Sequence, residues 1–183
     1  MLETGATGPS AIVLNGGSSS GKSSLALALQ SELPGSWLRL GIDDFIDALP
    51  PRLVGTGGFE VEADGAVTIG PAFTALEQQW QAGVGAMARH GAHLIIEDNF
   101  VSGVAAQKRW RKALEGVTTA WIGVRCTPVV AAEREARRGD RTAGMAARQA
   151  LIVHEGIEYD FTVDTSNADP ATLARSIAHR LAR

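Results

Sequence analysis

Gly16-Gly17-Ser18-Ser19-Ser20-Gly21-Lys22-Ser23 is the stretch on which the fold turns. It matches G-x-x-x-x-G-K-[ST], a loop whose glycines let the backbone curl until its N–H groups point inward at a phosphate. Both flanks agree with that reading: an apolar strand, Ala11 to Leu14, precedes the loop and a helix-forming run, Leu25 to Leu33, follows it. The helix N-terminus then adds unpaired N–H groups and the positive end of its dipole. In this register Lys22 is a point charge for the β- and γ-phosphates, and Ser23, not Ser24, supplies the magnesium-ligating hydroxyl. Gly16, Gly17, Ser18, Ser19, Ser20, Gly21, Lys22, Ser23 and Ser24 are the expected nucleotide-binding residues, with ATP and Mg²⁺ as ligands. The chain has only three lysines, Lys22, Lys108 and Lys112, so a lysine at the motif position is informative.

Outward from the loop, short β-rich runs alternate with helical stretches. The runs are Ser10 to Asn15, Trp37 to Ile42, Ala92 to Ile96, Thr119 to Arg125 and Tyr159 to Val163. Helices are expected at Lys22 to Leu33, Phe45 to Leu49, Pro71 to His90, Val104 to Leu114, Pro128 to Arg138, Thr142 to His154 and Pro170 to Leu181. Thr127 before Pro128 and Asp169 before Pro170 are start signals. Phe73, Leu76, Trp80, Val84 and Met87 fall on one helical face, the stripe expected to pack on a sheet. Strands separated by helices predict an α/β fold with a five-stranded parallel sheet of order 2-3-1-4-5, helices on both faces and the site at its carboxyl edge. Residues 55–70 break the alternation with five glycines and a period of two. A three-residue Ala63-Asp64-Gly65 loop, with Gly65 left-handed, pairs Val61 with Val67 and Phe59 with Ile69. This hairpin insert is either a decoration or a wall over an acceptor site.

Length predicts one domain over 1–183, with 10–183 as its ordered core and a lid at 137–144. With 45% hydrophobic and 20% charged residues the chain is an ordinary globular protein. A net charge of -3 offers no basic face for nucleic acid or an anionic membrane. The single cysteine, Cys126, excludes an internal disulfide and multi-cysteine metal sites. The N-terminus lacks a basic start followed by an apolar core, and no run is long enough to span a bilayer. A cytoplasmic protein is expected.

A phosphate loop alone does not say what becomes of the phosphate. The chain has no Asn-Lys-x-Asp, expected of a GTPase, and no Leu-Ser-Gly-Gly-Gln, expected of a transporter ATPase. The candidates that remain are a small-molecule kinase and a nucleotide-binding regulator that transfers nothing. The second strand leads into Asp43-Asp44 at the edge where the crevice opens. A carboxylate there can take the proton from an acceptor hydroxyl, or either residue can cap the next helix; Asp44 can cap while Asp43 acts. The third strand ends in Glu97-Asp98, and side-chain alternation lets only one of them face a metal. Arg134, Arg137, Arg138 and Arg141 follow helical spacing. With Gly139 ending the helix, Arg141 lies on a short lid; the set either clamps phosphate oxygens or forms a solvated face with Glu133 and Glu135. Cys126 and the four tryptophans read as packing residues, and the four histidines lack ligand spacing.

Several stretches go beyond a phosphate loop. They include Leu14-Asn15 before the loop, Gly41-Ile-Asp43, Ala63-Asp-Gly65, Ile69-Gly-Pro71, Ile95-Ile-Glu-Asp98, Gly123-Val-Arg-Cys126, Arg138-Gly-Asp-Arg141, Gly144-Met-Ala-Ala147 and Val153-His-Glu-Gly156. With them the chain resembles the chloramphenicol phosphotransferase family over about Ile12 to Thr165. The resemblance implies ATP-dependent phosphorylation of the primary hydroxyl of chloramphenicol, an antibiotic-resistance reaction that blocks ribosome binding. It also implies Asp43 as base, Lys22 and Ser23 on the phosphates and Mg²⁺, and Arg138 and Arg141 in the lid. Asp44 stands where the family pattern has a small hydroxyl residue, Glu97 where it has Asp and Arg137 where it has a small residue. These departures bear on the acceptor, so another hydroxylated small molecule is the alternative substrate. A homo-oligomer is compatible with the sequence.

Overall fold

The apolar run before the phosphate loop forms β1 (Ala11–Asn15), buried along its whole length. The computed structural model describes residues 8–55, 57–62, 65–138 and 144–183. After β1 come α1 (Lys22–Glu32), β2 (Trp37–Gly41), α2 (Ile42–Asp47), β3 (Phe59–Val61), β4 (Val67–Ile69), α3 (Pro71–Arg89), β5 (His93–Asp98), α4 (Val104–Ala113), β6 (Thr119–Arg125), α5 (Pro128–Arg138), α6 (Met145–Ile152), β7 (Phe161–Asp164) and α7 (Pro170–Leu181). The main sheet has the order β2-β5-β1-β6-β7, with every pair parallel. With the two hairpin strands left out of the count, this is the expected order 2-3-1-4-5.

Alternation along the strands divides the core into two layers. Ile12, Leu14, Ile95, Ile122 and Val124 face Leu25, Ala26 and Leu29 of α1 and Ala174 and Ile177 of α7. Ala11, Val13, Leu94, Ile96 and Trp121 face Val84 and Ala88 of α3 and Ala106 and Trp110 of α4. The hairpin strands pair Phe59 with Ile69 and Val61 with Val67, the register expected from the sequence. Gly65 has φ +79, and Phe59 stacks on Phe73 of α3 with centroids 5.6 Å apart. Gly139 and Arg141, and with them most of the expected lid, lie outside the described residues, as does the Ala63-Asp64 part of the hairpin turn. Among the described residues no helix is long and apolar enough to cross a membrane.

Two expectations need correction. The short helix expected at Phe45 to Leu49 begins at Ile42, so Asp43 and Asp44 stand in its first turn and β2 ends at Gly41. Asp44 brings this about: its Oδ2 accepts the Gly41 amide at 2.6 Å, tying off the entry to the helix. On α3, Phe73, Leu76, Trp80 and Val84 of the predicted stripe pack into the core, but Met87 is exposed and the buried face is completed by Glu77, Gln81, Gly85 and Ala88. The cause is α4, which packs so closely that a Cβ on Gly85 would lie 2.0 Å from the Ala113 carbonyl oxygen. Arg109 on α4 then donates to the buried Glu77 carboxylate at 2.8 Å.

Glu77 and His154 give the fold opposed responses to pH. Burial and the nearby Asp98 charge push Glu77 up from 4.5 to about 7, with Arg109 opposing. Burial and the charges of Arg125 and Lys22 push His154 down from 6.5 to about 4. Between about pH 4.5 and 6.5 the folded chain holds the extra proton at Glu77, so that group makes stability fall as pH rises. Over the same interval the unfolded chain holds the extra proton at His154, so that group makes stability rise. Glu77→Gln should therefore gain stability with rising pH more steeply than the parent in denaturant melts across this range. His154→Gln should tilt the other way, and three parallel curves would contradict both assignments.

Candidate active site

The segment from Gly16 to Gly21 wraps back on the end of β1 because glycine stands where it turns most tightly. A Cβ on Gly16 would lie 2.4 Å from the Val124 carbonyl oxygen, and Gly21 has φ +86. α1 then starts without a side-chain cap, so the amides of its first turn have no side-chain acceptor of their own. Lys22 Nζ folds over the loop and donates to the Gly16 and Gly17 carbonyls at 2.6 and 2.9 Å. The hydroxyls of Ser19 and Ser20 are buried without a hydrogen-bond partner among the described residues. Ordered N–H groups, a lysine and unpaired hydroxyls form a cradle whose chemistry fits a phosphate chain.

A cavity of about 470 Å³ opens above this cradle. Ser18, Ser19, Ser20, Gly21, Lys22, Ser23, Ser24, Asp43, Glu97 and Arg138 all line it, whereas Gly16 and Gly17 form the turn behind. Asp43 is exposed on the first turn of α2 and shares the cavity with the loop. Phe59, Val61 and Val67 line the same space, so the hairpin is a wall of the site.

Alternation along β5 separates the two acids that the sequence left undecided. Glu97 has the parity of Ile95 and faces the α1 side, where its Oε2 accepts the Ser23 hydroxyl at 2.7 Å and its Oε1 accepts Arg39 Nη1 at 2.9 Å. Asp98 has the parity of Ile96 and faces α4. Its Oδ2 accepts Trp110 Nε1 at 2.6 Å, and its Oδ1 accepts the Asn99 and Phe100 amides. As a candidate metal residue Asp98 is therefore replaced by Glu97 alone; Asp98 is a structural acceptor whose pKa burial pushes up.

Ser23 and Glu97 are the residues that could hold a divalent cation. Ser23 gives its proton to Glu97 and keeps its lone pairs, and a hydroxyl beside a carboxylate suits a hard cation. Among the described residues no cluster of three or more His, Cys, Asp and Glu side chains could hold a metal by itself.

The arginines divide. Arg134 turns inward and holds the β7–α7 junction, donating to the Thr165 carbonyl at 2.7 Å. Arg137 points to solvent and pairs with Glu133 at 3.5 Å, an i,i+4 contact worth at most about 0.5 kcal/mol. Arg138 lines the cavity. Glu135, expected as a surface partner, is buried and accepts the Gly144 and Ala146 amides at 2.8 Å each, anchoring the start of α6. Cys126 is buried, and of the tryptophans Trp37, Trp110 and Trp121 are buried while Trp80 packs between Phe45 and Trp110. His154 also packs inside, against the Tyr159 hydroxyl at 2.7 Å, and Tyr159 in turn meets Asn15 Nδ2 at the base of the loop. Sequence reasoning passed over Arg39 and Gln149, which both line the cavity.

A parallel sheet with a phosphate loop after its central strand, and acids at the ends of the neighbouring elements, is the fold of the P-loop kinases of small molecules. Solved structures agree on the fold. The Deinococcus radiodurans tunicamycin resistance protein is 21% identical with a TM-score of 0.63 over 93% of this chain and 94% of that one. Shikimate kinase from Acinetobacter baumannii is 14% identical with a TM-score of 0.59 over 96% and 93%. The chloramphenicol phosphotransferase-like protein family matches residues 9–182, and the chain belongs to it. Proteins of Mycobacterium tuberculosis strains H37Rv and CDC 1551, named provisionally as O-phosphotransferases, are each 35% identical over 91% of this chain and 79% of their own length. The chain is a phosphotransferase with an alcohol group as acceptor.

The division of the two acids predicts different variant behaviour. Asp98→Ala leaves the fully buried Trp110 N–H without its acceptor, which should cost roughly 1–3 kcal/mol in denaturant unfolding. Glu97→Gln keeps the shape and one acceptor oxygen, so it should lose less stability than Asp98→Ala and bind Mg·ADP more weakly than the parent by calorimetry. The reverse pattern would exchange the two roles.

Proposed function

We propose that the chain transfers the γ-phosphoryl group of ATP to a primary hydroxyl of chloramphenicol or a related hydroxylated compound. The observation that carries this reading is that Asp43 opens into the same cavity as the phosphate loop. A regulator needs the loop, but it has no use for a carboxylate facing an acceptor. The family adds chloramphenicol as the first acceptor to test.

Lys22 and the amides of residues 18 to 24 hold the phosphates. Ser23 and Glu97 would hold Mg²⁺, which when bound neutralises charge on the β- and γ-oxygens. Phe59, Val61 and Val67 of the hairpin offer the acceptor an apolar wall. Asp43 orients the acceptor hydroxyl and takes its proton as the acceptor oxygen bonds to the γ-phosphorus and the bond to the β,γ-bridging oxygen breaks. The products are ADP and a phosphate ester. Arg138 from α5, with Arg141 beyond it, supplies positive charge to the phosphoryl group in flight.

Asp43→Asn keeps size and a hydrogen-bonding oxygen but loses basicity. Its kcat should fall roughly 10²- to 10⁴-fold while folding and ATP binding persist; Asp44→Asn, whose carboxylate lines the cavity but is engaged by the Gly41 amide, should do much less. Mass spectrometry of chloramphenicol incubated with the parent should show one added phosphoryl group. Full activity in Asp43→Asn would end the base assignment. ATP binding without product across chloramphenicol and other hydroxylated antibiotics would favour the regulator.

Arg138→Ala should lower kcat with little change in the KM for ATP, the signature of charge stabilised mainly in the transition state. A raised KM at constant kcat would instead make Arg138 a ground-state nucleotide ligand.

A further inference from the structure

Gln149 stands where the phosphate loop, the lid side and the acceptor wall meet. It is only 2% exposed, yet it lines the cavity. Its Oε1 accepts the Ser18 amide at 2.7 Å. A backbone N–H can only donate, so this bond fixes which end of the carboxamide is oxygen. Nε2 is then the other end, a pure donor that makes no hydrogen bond among the described residues.

The helix carrying Gln149 is held in place on three sides. A Cβ on Gly17 would lie 3.0 Å from Gln149 and Ala150 atoms, so α6 lies directly on the loop. Glu135 anchors its first turn through the Gly144 and Ala146 amides. One turn before Gln149, the Met145 backbone abuts the hairpin at Gly65, where an added Cβ would come within 2.6 Å. Gln149 thus sits between the nucleotide half of the cavity and its acceptor wall.

Resting on the kinase reading above, we propose that Gln149 is a further catalytic residue whose Nε2 donates a hydrogen bond to the γ-phosphoryl group of bound ATP and keeps it through transfer. The bond to Ser18 pre-aims the donor, so little reorganisation is needed when charge builds on the phosphoryl oxygens. The neutral amide complements Arg138: the arginine supplies charge, and the amide supplies a fixed direction.

Gln149→Glu tests this, because it keeps an oxygen for the Ser18 amide, removes the N–H donor and sets a negative charge beside the phosphoryl group. Calorimetry with ADP and with the non-hydrolysable β,γ-imido analogue of ATP separates the terminal phosphoryl from the rest. The expected result is an affinity loss of about tenfold or more for the triphosphate analogue with ADP within about twofold, and a kcat lowered by about 10²-fold, the scale for loss of one preorganised donor. Gln149→Leu, similar in size, should show the same selectivity with a smaller loss, and it covers the case in which the glutamate variant does not fold. Equal losses for the two nucleotides would show that Gln149 only shapes the loop, and parent-like affinity together with parent-like kcat would show that the donor is idle; either overturns the proposal. A triphosphate-selective loss in the variants, beside a parent that phosphorylates no acceptor, would uphold Gln149 and refute the acceptor reading instead.

Discussion

The Glu97 carboxylate binds the site together. One of its oxygens accepts from Ser23 at the start of α1 and the other from Arg39 on β2. In the sheet Glu97 lies beside Leu14 of β1 and Gly41 of β2, the residue from which α2 and Asp43 depart. A single buried side chain therefore ties the start of α1 to β2 at the edge from which α2 departs. Both bonds go to an ionised carboxylate, from donors whose backbones are placed by α1 and β2.

The opposite face of β5 shows the cost of the same alternation. Asp98 must go inside when Glu97 goes to the loop, and an acid there needs a full set of donors. Trp110, Asn99 and Phe100 provide them. Burial, and after it the Asp98 charge, raises Glu77 on α3, so the turn of Asp98 toward α4 bears on the ionisation of a second carboxylate on that face of the sheet. Arg109 is the counterweight, held to Glu77 at 2.8 Å.

The loop, the strand order and the hairpin register were legible in the sequence because each is written in consecutive residues: a motif, an alternation of element types, and a period of two around Gly65. The choice between Glu97 and Asp98 was not, since parity tells that two neighbours face opposite ways but not which way α1 lies. The polar part of the buried face of α3 was missed for a different reason. Glu77 and Gln81 are polar residues inside, and hydrophobic patterning is blind to a carboxylate buried by an arginine on another helix. Arg39 and Gln149 carried no local signal at all; what brings them to the loop is the docking of β2 and α6, a long-range event.

The two halves of the cavity are built from different materials. The nucleotide half is mainly backbone: amides, tight turns and one helix terminus, for which the sequence needs little more than glycines at fixed spacing, a lysine and a serine. The rest of the cavity is lined by side chains from α2, the hairpin and Arg138, contributed by separate segments. Substituting Val61 or Val67 reshapes a wall that rests on a two-stranded ribbon, whereas substituting Gly16 drives a Cβ into the carbonyl of β6. Asp44 ties off the entry to α2 through the Gly41 amide, and Glu97 reaches the Ser23 hydroxyl from the end of β5, so one acid serves the local turn and the other joins two elements.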